Sequence, residues 1–165
     1  MGKYTNFLKE SDLFYNLSPV QFELIESICQ EIQYKKGEFV FDENSKENDL
    51  YLILQGKVEI VVTLSMVSTT MISDDSPRVI AILQRGQSFG EMALVDGGVR
   101  SASVRAADRA TRVMLLPRKK LMMLCETYPE LGYRVMFNLA ADLAQKIRNT
   151  DLKLRDALLS SSHSR

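Results

Sequence analysis

The hydrophobic period changes twice along this 165-residue chain, and no other feature restricts its fold as strongly. From Ser18 to Cys29 the apolar residues Phe22, Leu24, Ile25, Ile28 and Cys29 fall at helical spacing. Ser18, Pro19 and Gln21 stand ahead of them as cap, first helical residue and capping-box partner. Phe7, Leu8, Leu13, Phe14 and Leu17 predict shorter helical pieces before it. From Tyr34 the period drops to two, and residues 39–41, 50–54, 58–64, 78–83, 103–106 and 113–116 read as strands. Gly37, Gly56, Gly86 and the polar turn 42–45 separate them. After Pro117 the helical period returns, first to Thr127 and then from Pro129 to about Leu159. The break falls at Tyr128 because Pro129 disfavours helical backbone in the residue before it.

Short strands flanked by helices make an α+β fold around a sandwich or barrel-like roll. Residues 65–77 are weakly patterned and read as a mobile hairpin tip. In the last helix Met136, Ala140, Leu143, Ile147, Thr150, Leu154 and Ala157 follow a four-three spacing, which is a coiled-coil seam. A homodimer through Met136, Leu143, Ile147, Thr150 and Leu154 is therefore an expectation.

Composition narrows the chemistry. With 21 basic and 21 acidic side chains the formal charge is zero, which disfavours direct nucleic-acid binding or adhesion to an anionic membrane. Two cysteines, Cys29 and Cys125, read as buried free thiols in helices. His163, the one histidine, lies in a polar tail, so no metal site, haem site or nucleophile–base pair is expected. No run is long enough to span a membrane, and the expected location is cytoplasmic. Met122, Met123 and Met136 read as packing, and Arg118-Lys119-Lys120 as a solvent-facing helix start.

Between Gly86 and Val104 lies the one segment that reads as chemistry. Gly90 opens a short helix from Glu91 to Leu94, whose first N–H groups carry partial positive charge and suit a phosphate. Arg100 adds a planar fork that meets two phosphate oxygens. Glu91 repels an anion but accepts a bond from a ribose hydroxyl, and Ser101 adds a hydroxyl beside the arginine.

Phe-Gly-Glu-Met-Ala-Leu, followed six residues later by Arg-Ser-Ala-Ser-Val-Arg-Ala, resembles the phosphate-binding cassette of the cyclic nucleotide-binding domain family. Lys-Gly-Glu around Gly37 and Leu-Tyr-Leu-Ile-Leu-Gln-Gly around Gly56 extend the likeness from about Leu13 to Leu158. Many members carry Pro directly before the arginine, where this chain has Val99. The resemblance implies one domain, an antiparallel, jelly-roll-like β-roll. Short N-terminal helices would fill residues 1–33, the roll 34–116 with its cassette at 89–104, a helical C-terminal lid 117–159 and a flexible tail 160–165.

It also implies a ligand site without catalytic residues or cofactor. Glu91 would take the ribose hydroxyl and Arg100 the cyclic phosphate, with Gly90, Met92, Ala93, Ser101 and Ala102 completing the cradle. Ile80 and Ala81 are candidates for a wall facing the base. The run from Ala141 to Thr150 resembles the dimer helix of catabolite-activator-type relatives, which puts Thr150 where a base-contacting threonine belongs; the next family position is Ser, and here it is Asp151. Thr150 also suits a device that sets coiled-coil register. Cyclic AMP is the favoured ligand, with cyclic GMP as the alternative through Ser101. The expected role is a sensor that signals to an effector protein by moving its C-terminal helices. The competing readings are a β-roll interaction protein that binds no nucleotide and a DNA-binding regulator.

Overall fold

In the computed structural model, which describes residues 2–63 and 76–162, two four-stranded antiparallel sheets form a roll closed at one end by helices. The chain enters through α1 (Thr5–Glu10), a single 3-10 turn (Asp12–Phe14) and α2 (Pro19–Ile28). The capping box at α2 is present in full: Gln21 N donates to Ser18 Oγ at 3.3 Å and Ser18 N to Gln21 Oε1 at 2.8 Å. One sheet has the order β1 (Gln30–Tyr34), β8 (Thr111–Leu116), β3 (Leu50–Gln55), β6 (Ser88–Phe89). The other has the order β2 (Phe39–Phe41), β7 (Ser103–Ala106), β4 (Lys57–Thr63), β5 (Pro77–Gln84). Between β6 and β7 sits α3 (Glu91–Asp96), and α4 (Arg118–Thr127) and α5 (Pro129–Ser162) follow.

Strand β3 explains how these layers stack. Its run Leu-Tyr-Leu-Ile-Leu is buried on both faces. Tyr51 and Ile53 point into the roll with Val40, Phe41, Val58, Phe89, Val104 and Val113. Leu50, Leu52 and Leu54 point the other way, onto Leu8, Phe14, Ile25, Leu121, Leu131, Val135 and Leu139 of the helices. One strand thus belongs to two cores.

Two expectations need correction. Residues 30–33 are not helical: α2 ends at Ile28, Cys29 is extended at φ −73° and ψ 145°, and β1 pairs with β8 from Gln30↔Leu115 to Tyr34↔Thr111. Arg118 does not simply face solvent, because its Nε donates to Leu94 O at 2.8 Å; Lys119 and Lys120 are exposed as expected. Both cysteines are free thiols and half-buried, and burial pushes the Cys29 thiol up to about 12. The hairpin tip expected at 65–77 and His163 fall mainly or wholly outside the described residues. Among the described residues no helix is long and apolar enough to cross a membrane, and no group of three or more His, Cys, Asp or Glu is placed to hold a metal ion.

Helix α5 runs 34 residues, about 50 Å at 1.5 Å per residue. Its first turns are anchored by Leu131, Val135 and Leu139 in the core, and by Asn138 Nδ2, which donates to Leu13 O and Tyr15 O at 3.1 and 3.0 Å. Met136 and Leu143 pack half-buried against that core, whereas every residue from Ile147 to Ser161 is exposed. The α4–α5 corner depends on Gly132, where an added Cβ would lie 2.5 Å from Cys125 O and 3.0 Å from Cys125 Cα. Gly132→Ala gains helix propensity of about 1 kcal/mol but forces backbone apart, an overpacking cost of roughly 1–3 kcal/mol. A lower melting temperature in a thermal scan is the expected outcome; an unchanged or higher one shows that the corner yields freely.

Candidate functional site

The candidate site begins at the turn between β6 and α3. Gly90 adopts φ +84°, a left-handed conformation that a side chain disfavours, and Gly97 closes α3 at φ +67° with its N–H on Ala93 O. The six-residue helix is thus held between two left-handed glycines. Its first turn carries Glu91, buried at 7% exposure, with Met92 exposed and Ala93 buried.

Arg100 lies beneath this turn, and its residue is only 2% exposed. Nη1 donates to Gly90 O at 2.9 Å and Nη2 to Asp49 O at 2.7 Å. The guanidinium stands 4.0 Å from the centroid of Phe41 and 5.7 Å from that of Tyr51. Tyr51 is stacked on Phe89, with centroids 5.1 Å apart, and Phe41 lies 5.6 and 5.9 Å from the two. An aromatic floor therefore fixes the fork and adds cation–π attraction. Arg100 Nε is buried and has no hydrogen-bond partner among the described residues. No carboxylate there lies within ion-pair distance of this arginine. Burial pushes its pKa down, while Tyr51, Glu47, Asp49 and Glu91 pull the other way. A buried, always-charged fork with unused donors is suited to an anion.

Helix α5 supplies a contact to the same site. Lys146 Nζ on α5 donates to Glu91 Oε1, Asp142 Oδ2 and Ser88 O, each at 2.8 Å. Burial alone would lower the pKa of Lys146, yet the Glu91 and Asp142 carboxylates outweigh it and the net shift is upward. Lys146 is therefore charged and ties α5 to the first residue of α3.

Phe41, Phe89, Glu91, Arg100 and Lys146 line one cleft of about 540 Å³. Gly90, Glu91, Met92, Ala93, Arg100, Ser101 and Ala102 are all on its wall. Ala81 and Thr150 are there too, but Ile80 is not. The register steps from Ile60↔Ala81 to Val61↔Val79, so Ile80 is the extra residue of a bulge and points outward, 53% exposed. Ile60, Ile82 and Leu83 form the apolar wall in its place. Thr150 Oγ1 donates to Lys146 O at 3.0 Å, so its oxygen keeps lone pairs for an incoming donor. Ser101 is exposed, with Oγ 3.6 Å from Met92 Sδ.

Sequence reasoning missed Phe41 and Tyr51 beneath the arginine, the Asp49 carbonyl, and Lys146. Alternation in β2 and β3 points Phe41 and Tyr51 to the roll interior, which was a usable signal. A main-chain carbonyl and one lysine on a long polar helix carry none.

Known proteins share the sequence and fold of this chain. The Cyclic AMP receptor protein of Thermus thermophilus is 34% identical over 147 residues, which cover 89% of this chain and 62% of that protein. Human cGMP-dependent protein kinase 2 is 27% identical over 129 residues, 78% of this chain and 16% of the kinase. The crystal structure of the Thermus thermophilus Catabolite Activator Protein superposes with a TM-score of 0.71 at 35% identity, over 91% of this chain and 63% of that one. The chain thus spans under two thirds of these relatives. The sequence profile of the cyclic nucleotide-binding domain matches residues 31–128, the stretch from β1 through the cassette to the end of α4. By that match and by the fold, this chain belongs to the cyclic nucleotide-binding domain family.

Proposed function

We propose that the chain is a sensor for a cyclic mononucleotide, cyclic AMP in preference to cyclic GMP, and that it signals by moving α4 and α5. The observation that carries this reading is the shared cleft of Arg100 and Glu91 beneath a helix that is itself bonded to Glu91. A cyclic phosphate meets the Arg100 fork and the first N–H groups of α3, and the ribose hydroxyl donates to Glu91. The base extends between Ile82, Leu83 and α5, where the free lone pairs of Thr150 suit the amino group of adenine. Ser101 is the group that favours guanine.

The hydroxyl arrives at the same carboxylate that holds Lys146, so occupancy of the cleft bears directly on α5. A ligand shifts such an equilibrium only by its differential affinity for the two states. Ile147, Thr150 and Leu154 are the exposed part of the expected seam, and with half-buried Met136 and Leu143 they pair with a second copy in this reading. The output in this reading is an effector protein met in the cytoplasm, with no direct contact to nucleic acid or membrane.

Calorimetric titration with cyclic AMP, cyclic GMP and 2′-deoxy cyclic AMP tests it. A charge-assisted bond to Glu91 is worth about 1.5–3 kcal/mol, so the deoxy analogue is expected to bind roughly tenfold to a hundredfold more weakly. Glu91→Gln is expected to weaken cyclic AMP and to narrow the gap between the two ligands. Affinity no tighter than millimolar for every nucleotide would overturn the reading in favour of a β-roll that binds none.

A further inference from the structure

Met92, the second residue of α3, stands on the wall of the cleft and is 54% exposed. Its sulfur is already engaged with the cassette, because Ser101 Oγ donates to Met92 Sδ at 3.6 Å. Ser101 directly follows Arg100, and both residues line the same cleft. A thioether is a weak acceptor, so this bond gives way readily when a stronger acceptor enters.

Few other oxidisable side chains are as open. Among the described residues Met114 is fully buried and Met122 and Met136 are partly buried; only Met123 matches Met92, at 57% exposure. Met123 lies on α4 and is not on the cleft wall. Neither cysteine lines the cleft, and burial pushes both thiols up, which keeps the reactive thiolate scarce. Met92 is thus the oxidisable side chain that solvent reaches at the phosphate cradle.

We propose that Met92 is a site of reversible sulfoxidation by a hydroperoxide, and that the added oxygen weakens the cradle for a cyclic nucleotide. In that step the O–O bond breaks and the terminal oxygen is transferred to Sδ, which gives up two electrons. The proton of that oxygen passes to the other one, which leaves as an alcohol, or as water from hydrogen peroxide. The flexible apolar thioether becomes a polar sulfoxide. Its oxygen, a far stronger acceptor than the sulfur, claims the Ser101 hydroxyl and sets the negative end of a dipole on the wall that receives the phosphate. Methionine sulfoxide reductases remove the oxygen again. The inference rests on the reading of Arg100 and its neighbours as a cyclic phosphate site.

Limited treatment of the full chain with hydrogen peroxide, peptide mass spectrometry to locate the oxygen and titration calorimetry with cyclic AMP test it together. Sulfoxide at Met92 is expected to weaken cyclic AMP by at least about tenfold, the scale of one lost hydrogen bond to a charged group. Saturating cyclic AMP during the treatment should slow oxygen addition at Met92 and leave Met123 unchanged. The reductases with their thiol should restore affinity, and the thiol alone, which repairs a disulfide or sulfenic acid, should not. Met123→Leu should lose affinity on treatment as the unaltered chain does, whereas Met92→Leu, whatever its starting affinity, should lose less than about twofold. Without any peroxide, Met92→Gln, whose amide oxygen stands in for the sulfoxide, should bind about tenfold more weakly than Met92→Leu. Undiminished binding by chains fully converted at Met92, an equal loss in Met92→Leu, or oxidation of Met123 without Met92 overturns the inference alone. Failure of the untreated, unaltered chain to bind cyclic AMP overturns the functional reading and this inference with it.

Discussion

Arg100→Ala is expected to cost at least about a hundredfold in cyclic AMP affinity, since two charge-assisted bonds at about 1.5–3 kcal/mol each are lost. The fold is expected to survive. The guanidinium is buried without a carboxylate in ion-pair distance among the described residues, so it is held at a cost in desolvation. Its removal relieves that cost but leaves the carbonyls of Gly90 and Asp49 without their present donor. The two effects oppose each other, and the melting temperature is expected to move far less than the affinity. Arg100→Lys keeps a charge but loses the fork that reaches both carbonyls, so most of the affinity loss should remain. Titration calorimetry beside a thermal scan separates the two quantities. Cyclic AMP affinity within about threefold of the unaltered chain in Arg100→Ala would show that the arginine is structural.

Gly90→Ala should injure both stability and binding. A side chain at φ +84° costs about 1–2 kcal/mol in backbone strain. Its Cβ would also lie 2.6 Å from Arg100 Nη1 and 2.9 Å from the Asp49 carbonyl, and the second of these is backbone. With the overpacking penalty included, the loss is roughly 2–5 kcal/mol, or roughly 4–20 °C in melting temperature. The arginine must move to admit the methyl group, so affinity should fall with it. Gly97→Ala is the matched control: it has a left-handed φ of +67°, but its Cβ meets nothing within 4 Å. It should show the strain alone, with the fork undisturbed. Equal losses of affinity in the two variants would mean that backbone strain, not the crowding of Arg100, sets the effect.

The roll and its cassette were legible because their signals are local. Alternating strands, a capped α2 and glycines at turns each announce themselves within a few residues, and the Glu91–Arg100 spacing depends only on α3 and its following turn. Strand β1 was not legible for the same reason in reverse. Gln-Glu-Ile-Gln-Tyr has a single aliphatic residue and follows a helical run through Ile28, so its extended form comes from pairing with β8, about eighty positions on. Lys146 reads as a solvated lysine until α5 folds over Glu91. In α5, Met136 and Leu143 satisfy the four-three pattern while packing half-buried on the chain's own core. Periodicity reports which residues share a helix face, not which body that face meets.

Strand β3 has a consequence of a different kind. Tyr51 supports the arginine from one face of the strand while Leu50, Leu52 and Leu54 anchor the helices from the other. The packing beneath Arg100 and the packing of the helices therefore share a strand, and loss of one is expected to unsettle the other. Severing roll from helices would expose three leucines along one face of the sheet, a sticky surface rather than a smaller working module. For protein engineering, a biosensor or chimera that keeps the cleft intact is expected to need one piece from Thr5 to Lys153, with fusion points beyond the last turn of α5 that lines the cleft.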